Sequence, residues 1–391
     1  MSDSPAGTAP APAVASPASP GRVIFIDLAR AVAVLLMVQG HTIDALLHPD
    51  ERWSLSYNAW LFIRGLTSCT FLFLSGAAFS ITAIRHWDQQ RTFTWRWFRR
   101  VRRFAFFLAL GYLIHFPMGR FWHLQYANEE RWRSFLTVDI LQNTASTLLI
   151  LQAFVWVCRT PRTFLWLTAA LGAAVVLFTP LAYGVDWVQH VPLWLASYMY
   201  QGTGSLFPLF PWAGFALAGA AFGVAIAPYS TRDKLPGLEL VMFRVGGGLV
   251  IASSLLAQFS FEPYSTYDWW RVSPVHFTLR LGCVLMLLAG FTWISLRLRR
   301  LATPLQALAE ESLLVYAVHV AILYGSLWNV GLGPRLGWQQ PGVVLQWIVV
   351  IWIAMVAMAW TWNWLQHVHP RLAALCRATT IAALIYPLAR P

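Results

Sequence analysis

Four ionisable side chains, Asp27, Arg30, His41 and Asp44, stand in one apolar stretch, DLARAVAVLLMVQGHTID (27–44). A charged side chain at the centre of a bilayer costs about 2.5 to 3.5 kcal/mol on insertion scales, so charges kept in such a stretch point to a task performed there. On a helix rising 1.5 Å per residue, Arg30 and His41 lie about 16 Å apart along the axis, and eleven residues return His41 to nearly the same face. An arginine at one end of that stripe can hold an anion. A neutral imidazole at the other can accept a proton or act as a nucleophile. Asp27 and Asp44 stand three residues from Arg30 and His41, within reach along the helix surface. The plainer alternative is a pair of local ion pairs that only orient the helix.

The elements that must position these groups are membrane helices. The 391-residue chain is 58% hydrophobic and 11% charged, with 22 Trp, a composition that excludes a soluble domain and fits an all-α, polytopic membrane helix bundle. Ten apolar segments, near 25–47, 58–84, 104–118, 137–158, 163–183, 205–227, 241–259, 275–296, 312–330 and 342–365, mostly approach the ~20 residues needed to cross. The weakly apolar 371–388 would make eleven, and 184–204 is a candidate to dip into the interface. With both termini cytoplasmic, 18 of the 28 Lys and Arg fall on the cytoplasmic side: Arg22, seven within 85–103, Arg159, Arg162, Arg232, Lys234, Arg297, Arg299, Arg300, Arg371, Arg377 and Arg390. The opposite loops hold Arg52, Arg120, Arg131, Arg133, Arg271 and Arg335. That asymmetry obeys the positive-inside rule and accounts for the net charge of +12 without a nucleic-acid partner. The expected location is the inner (cytoplasmic) membrane, in contact with its lipids.

Residues 1–21, rich in Ala, Pro and Ser, read as a disordered cytoplasmic tail. They lack the basic region and short apolar core of a signal peptide. The transmembrane domain is expected over 22–366 and a cytoplasmic C-terminal tail over 367–391. Cys69, Cys158, Cys283 and Cys376 are scattered, with neither a CxxC pair nor metal-ligand spacing, so no metal site or disulfide framework is expected.

In this topology Arg64 enters the second span to the level that His41 reaches in the first. Arg280, one turn from His276, and Asp139, Gln142 and Asn143 also enter from the outer side. An outward-opening polar pocket explains them together. Taken singly, Arg64 and Arg280 can snorkel, and Asp139 and Gln142 can cap a helix. On the inner side Arg30, Arg244 and the arginine-rich 85–103 loop suit phosphate recognition, although topology and anionic lipid account for the loop as well. His319 lies within the ninth span one turn after Tyr316, either as a functional group or as a packed bundle histidine.

DLARAVAVLLMVQGH resembles the Arg-x10-His first-helix signature of the transmembrane acyltransferase superfamily, which includes the acyltransferase 3 family and the heparan-alpha-glucosaminide N-acetyltransferase family. Asp27, Arg30 and His41 match by position. FLFLSGAAFS (71–80), VDILQ (138–142), FPLFPWAGFALAGAAFG (207–223), SPVHFTLRLG (273–282) and SLLVYAVHV (312–320) are similar to stretches of the second family, in its order. Ala31 stands where the family often has Gly, and Asn143 where an Arg is common, which leaves one positive group unaccounted for.

The resemblance implies transfer of an acyl group, often acetyl, from cytoplasmic acyl-CoA, a co-substrate rather than a resident cofactor, to a sugar hydroxyl or amine across the membrane. Arg30, Asp27 and Arg244 would then serve the donor. His41 would be base or acyl carrier, Asp44 would fix its tautomer, and Arg64 or Arg280 would steady the oxyanion. His276, Asp139, Gln142 and His319 would meet a carbohydrate or other envelope acceptor. A homodimer is the assembly considered. The competing readings are a transporter or flippase for an anionic or glycolipid substrate, and a non-catalytic scaffold in an envelope-assembly complex. The paired broken helices of secondary transporters are not evident in the sequence.

Overall fold

The computed structural model describes residues 23–116, 120–229, 234–259, 268–326 and 328–389. The expected N-terminal tail, with Arg22, and also Arg232 and Arg390 fall outside these residues.

Each of the ten apolar segments contains a helix: α1 (Ile24–Leu46), α2 (Leu55–Ile84), α3 (Trp95–Ile114), α4 (Ile140–Val157), α5 (Pro161–Tyr183), α6 (Leu209–Ile226), α7 (Leu235–Leu256), α8 (Pro274–Arg297), the pair α9 (Thr303–Glu310) and α10 (Ser312–Tyr324), and α11 (Pro341–Val368). A further helix, α12, covers Pro370–Ala389. Among the described residues eight helices are long and apolar enough to cross a membrane, and nine if α9 and α10, bent by 79°, form one broken span. The protein is a polytopic helical membrane protein. A two-residue antiparallel hairpin (Gly325–Ser326 with Asn329–Val330) follows α10.

The polar residues at the span ends explain where helices begin. Ser54, Thr94, Thr160 and Ser273 each accept the backbone N–H three residues on, and Pro161, Pro274 and Pro341 open their helices. Two differences from expectation follow. The helix of the third apolar segment starts at Trp95 rather than 104, because the Thr94 cap draws the arginines of the expected loop into the helix, and α3 is not among the eight apolar enough to cross. The segment expected as a cytoplasmic tail, 367–391, is instead mostly α12. It leaves α11 on the face carrying Arg85–Arg103, called the basic face below, and ends where Trp122 donates to the Ala389 carbonyl on the opposite face (3.4 Å).

Small residues set the packing. A Cβ on Gly76 would lie 1.9 Å from the Ala216 carbonyl oxygen, and one on Gly219 1.9 Å from that of Phe73, so α2 and α6 meet backbone to backbone. Gly246 and Gly282 join α7 to α8 in the same way, since a Cβ on either would lie 2.7 Å from the other's carbonyl oxygen. The similar stretches FLFLSGAAFS and GFALAGAAFG therefore form a packing seam. α1 sits at the centre, against α2, α8, α9, α10 and α11.

Candidate active site

The broken helix brings α10 against α1 so that His41 Nδ1 lies 2.8 Å from His319 Nε2, with the rings nearly parallel at 14°. His319 is fully buried, and its Nδ1 stands 2.7 Å from the Val315 carbonyl. A carbonyl can only accept, so Nδ1 of His319 carries the proton. With both rings neutral, His319 Nε2 accepts from His41 Nδ1–H, and the Nε2 lone pair of His41 is left for chemistry. This assignment follows from the hydrogen-bond network alone.

The surrounding side chains hold the pair in place. Tyr316 donates to Asp139 (2.7 Å) with its ring 6.5 Å from that of His41, and Tyr324 donates to the His41 carbonyl (3.3 Å). Asp139 caps α4 in a reciprocal box with Gln142. Gln142 is fully buried, accepts from Asp139 N–H, and donates to the Thr137 carbonyl. Asn143 donates to the Phe207 and Pro208 carbonyls. Asp139 and Gln142 thus take the capping role that the sequence also allowed, with Tyr316 as a further partner of Asp139.

Asp44 likewise has a partner other than the expected one. Both its oxygens bind the Arg64 guanidinium, Nη1 to Oδ1 at 2.9 Å and Nη2 to Oδ2, while the His41 ring it was expected to orient is held by His319. Arg64 shares the level of His41, as its depth required: a Cβ on Gly40 would lie 2.9 Å from Arg64 Nε.

Two cavities flank this centre. The one toward the basic face, about 640 Å³, is lined by Arg30, Arg96, Arg99, Arg100 and Arg103, with Glu310, Tyr316 and several phenylalanines. Arg100 is tied to α2, donating to the Phe79 carbonyl (3.2 Å) with its guanidinium 4.4 Å over that ring. Glu310 and Glu311, at the α9–α10 break, take hydrogen bonds from Gln306, Asn363 and Gln366. The cavity on the opposite side, about 530 Å³, is lined by Arg64, Arg271, Arg280, His276, Ser68, Gln201 and the aromatic rings of Phe207, Trp212 and Trp270. One stripe of α2 serves both: Leu61, Arg64, Gly65 and Ser68 face the second cavity, and Phe71, Ser75, Ala78, Phe79 and Thr82 the first. Ser68 and Phe71 are one helical turn apart, so the cavities approach each other about 4.5 Å apart along the helix axis.

A family model described as heparan-alpha-glucosaminide N-acetyltransferase, catalytic, matches residues 22–245. The chain belongs to this family. It is therefore a membrane enzyme of acetyltransferase type. No curated protein matches the chain. The matched family segment holds Asp27, Arg30, His41, Asp44, Arg64, the arginines of α3 and the α2–α6 seam. His276, Arg280 and His319 lie beyond it, and the fold brings them back to the same two cavities and the histidine pair.

Arg244, expected beside the donor, is the clearest displacement. It is exposed on α7, a helix packed chiefly on α8, and does not line the basic cavity. Its depth was legible but not its rotation, because α7 is apolar nearly all round. Asp27 and Arg30 open α1 on the basic face, and Arg30 lines the cavity. Sequence reasoning missed Tyr324, Ser68 and Glu310. The spacing of Tyr316, His319 and Tyr324 on one helical face, and of Leu61, Gly65 and Ser68 on another, carried that signal.

Proposed function

We propose that the protein moves an acetyl group from acetyl-CoA in the arginine-lined cavity to a hydroxyl or amine of a carbohydrate in the opposite cavity, using His41 Nε2. The observation that carries this reading is the His41–His319 pair, which stands between Tyr316 of the arginine-lined cavity and Arg64 of the opposite one. Arg30, Arg96 and Arg99 suit the anionic phosphates of CoA, while Phe79, Phe104 and Phe107 give its organic parts apolar surface.

In the step proposed, the acceptor oxygen or nitrogen attacks the thioester carbonyl as His41 Nε2 takes its proton. The tetrahedral intermediate then collapses, the C–S bond breaks, and the CoA thiolate recovers the proton from His41. His319 keeps Nδ1 of His41 as the donor nitrogen throughout, so the imidazolium formed retains a partner. Arg64, neutralised by Asp44 and seated over Gly40, supplies fixed N–H groups beside that level. The same lone pair could instead carry the acetyl group as an acyl-imidazole.

The excess of arginine on the basic face favours its being cytoplasmic, in the inner membrane, with α12 carrying the C-terminus to the outer side. The test is free-thiol release from acetyl-CoA by the detergent-purified protein over a panel of sugars and amino sugars. Release that needs both an acceptor and His41 is expected. Undiminished release by His41→Ala would overturn the mechanism, and acetyl-enzyme trapped without acceptor would favour the covalent route.

A further inference from the structure

We propose that the cavity opposite the basic face recognises its ligand through an anionic group, a carboxylate or a phosphate, with Arg280 as the counter-charge and His276 as a hydrogen-bond partner. Calling that ligand the acceptor rests on the acyl-transfer reading; the anion site itself does not.

The charges of this cavity are unbalanced in a specific way. Among the described residues its lining includes three arginines and no carboxylate. Two of the three are already paired: Arg64 with Asp44, and Arg271 with Asp268 at 3.3 Å. Among the described residues no carboxylate pairs with Arg280, and its buried Nε has no hydrogen-bond partner. A guanidinium in a low-dielectric wall with an unfilled donor is a site for a planar or tetrahedral oxyanion, which can take two parallel N–H bonds from it.

The second observation is independent. His276 lines the same cavity, is only 3% exposed, and has neither ring nitrogen hydrogen-bonded. Buried polar atoms are nearly always satisfied, so an imidazole with both nitrogens unfilled marks a place where a ligand completes the network. The ring is also held ready. Ser273 Oγ accepts the His276 backbone N–H at 3.1 Å, and the rings of Trp269 and Trp270 lie 4.4 and 5.1 Å from it. Arg280 is seated likewise: a Cβ on Gly65 would lie 3.1 Å from its Nη2, so the glycine leaves the groove in which the guanidinium rests. Trp212 and Trp270 add flat apolar faces for the C–H side of a sugar ring. The geometry describes a saccharide that bears an anion away from its reacting group.

The test is tryptophan-fluorescence titration of the full-length protein, without acetyl-CoA, with glucosamine, glucosamine 6-phosphate and muramic acid. These carry the same amine with no anion, a phosphate and a carboxylate. At least one anionic sugar should bind about tenfold or more tightly than glucosamine, as expected for a charge-assisted contact, and which one does so identifies the anion. Arg280→Gln should reduce that preference to near unity, and His276→Gln should weaken it less. Inorganic phosphate should displace the preferred sugar from the wild-type protein while chloride at equal ionic strength does not, a readout that needs no variant to fold. Equal binding of the three sugars, no binding of any, a preference surviving in Arg280→Gln, or no displacement by phosphate would each overturn the proposal. Because binding is read without donor, failure of acyl transfer leaves this result standing. Conversely, rapid acetylation of glucosamine with no gain for its anionic forms would support transfer and sink the anion site.

Discussion

The two cavities are both arginine-rich, yet they are built in different ways. In the basic cavity four of the arginines come from one helix, Arg96, Arg99, Arg100 and Arg103 at helical spacing on α3, and Glu310 stands among them. In the opposite cavity each arginine comes from a different segment: Arg64 on α2, Arg271 from the turn before α8, and Arg280 on α8, with aromatic rings between them. A cavity made from one helix tolerates loss of any single charge, since its neighbours on the stripe remain. A cavity assembled from three segments has one group in each place, so each substitution there should tell separately.

The largest effect should come from breaking what the cavities share. In Gly219→Ala the new methyl meets the Phe73 backbone, and no flexible side chain can give way. Parting α2 from α6 disrupts both linings, and loss of monodisperse folded protein on size-exclusion chromatography is expected.

His41→Ala should lower kcat by about 10²- to 10⁴-fold with thermal stability little changed, the usual worth of a general base. His319→Ala, which frees the His41 ring to turn, should cost about 10- to 100-fold in kcat with donor and acceptor KM nearly unchanged. An equal loss in KM alone would show that His319 binds substrate rather than orienting His41. On the basic side, Arg99→Gln should raise the acetyl-CoA KM about three- to tenfold, less than a full charge-assisted bond because Arg96 and Arg103 remain. The acceptor KM should not move. Smallest of all, Arg244→Leu should change neither KM nor kcat beyond about twofold, because Arg244 lies outside both cavities. A large effect there would mean that the donor reaches beyond the basic cavity.

How much the sequence disclosed follows the same division. The depth of a residue in a span is fixed by its distance from the span end, and depth was legible: Arg64 and His41 do share a level, and His276 and Arg280 do line one cavity. Rotation about the helix axis was not legible where the helix is apolar all round, which is why Arg244 was expected inside and lies outside. Partner choice was legible least. Asp44 is three residues from His41 along α1 but reaches across to Arg64, and His41 finds His319 from a helix 278 residues away, an encounter set by the 79° break at Glu311. The ten apolar segments follow from composition. α12 does not, because 370–389 is too weakly apolar for its helix to be told from a tail by composition.

The central claim is that one histidine pair joins a donor cavity on the basic face to an acceptor cavity on the other. Its most direct test uses the protein reconstituted in sealed liposomes, with acetyl-CoA outside and a sugar acceptor trapped within. Acetylated product should accumulate inside while CoA stays outside, in proportion to the vesicles whose basic face points outward, and should vanish with His41→Ala. Transfer only when donor and acceptor are on the same side of the membrane, or transfer that survives His41→Ala, would contradict the account.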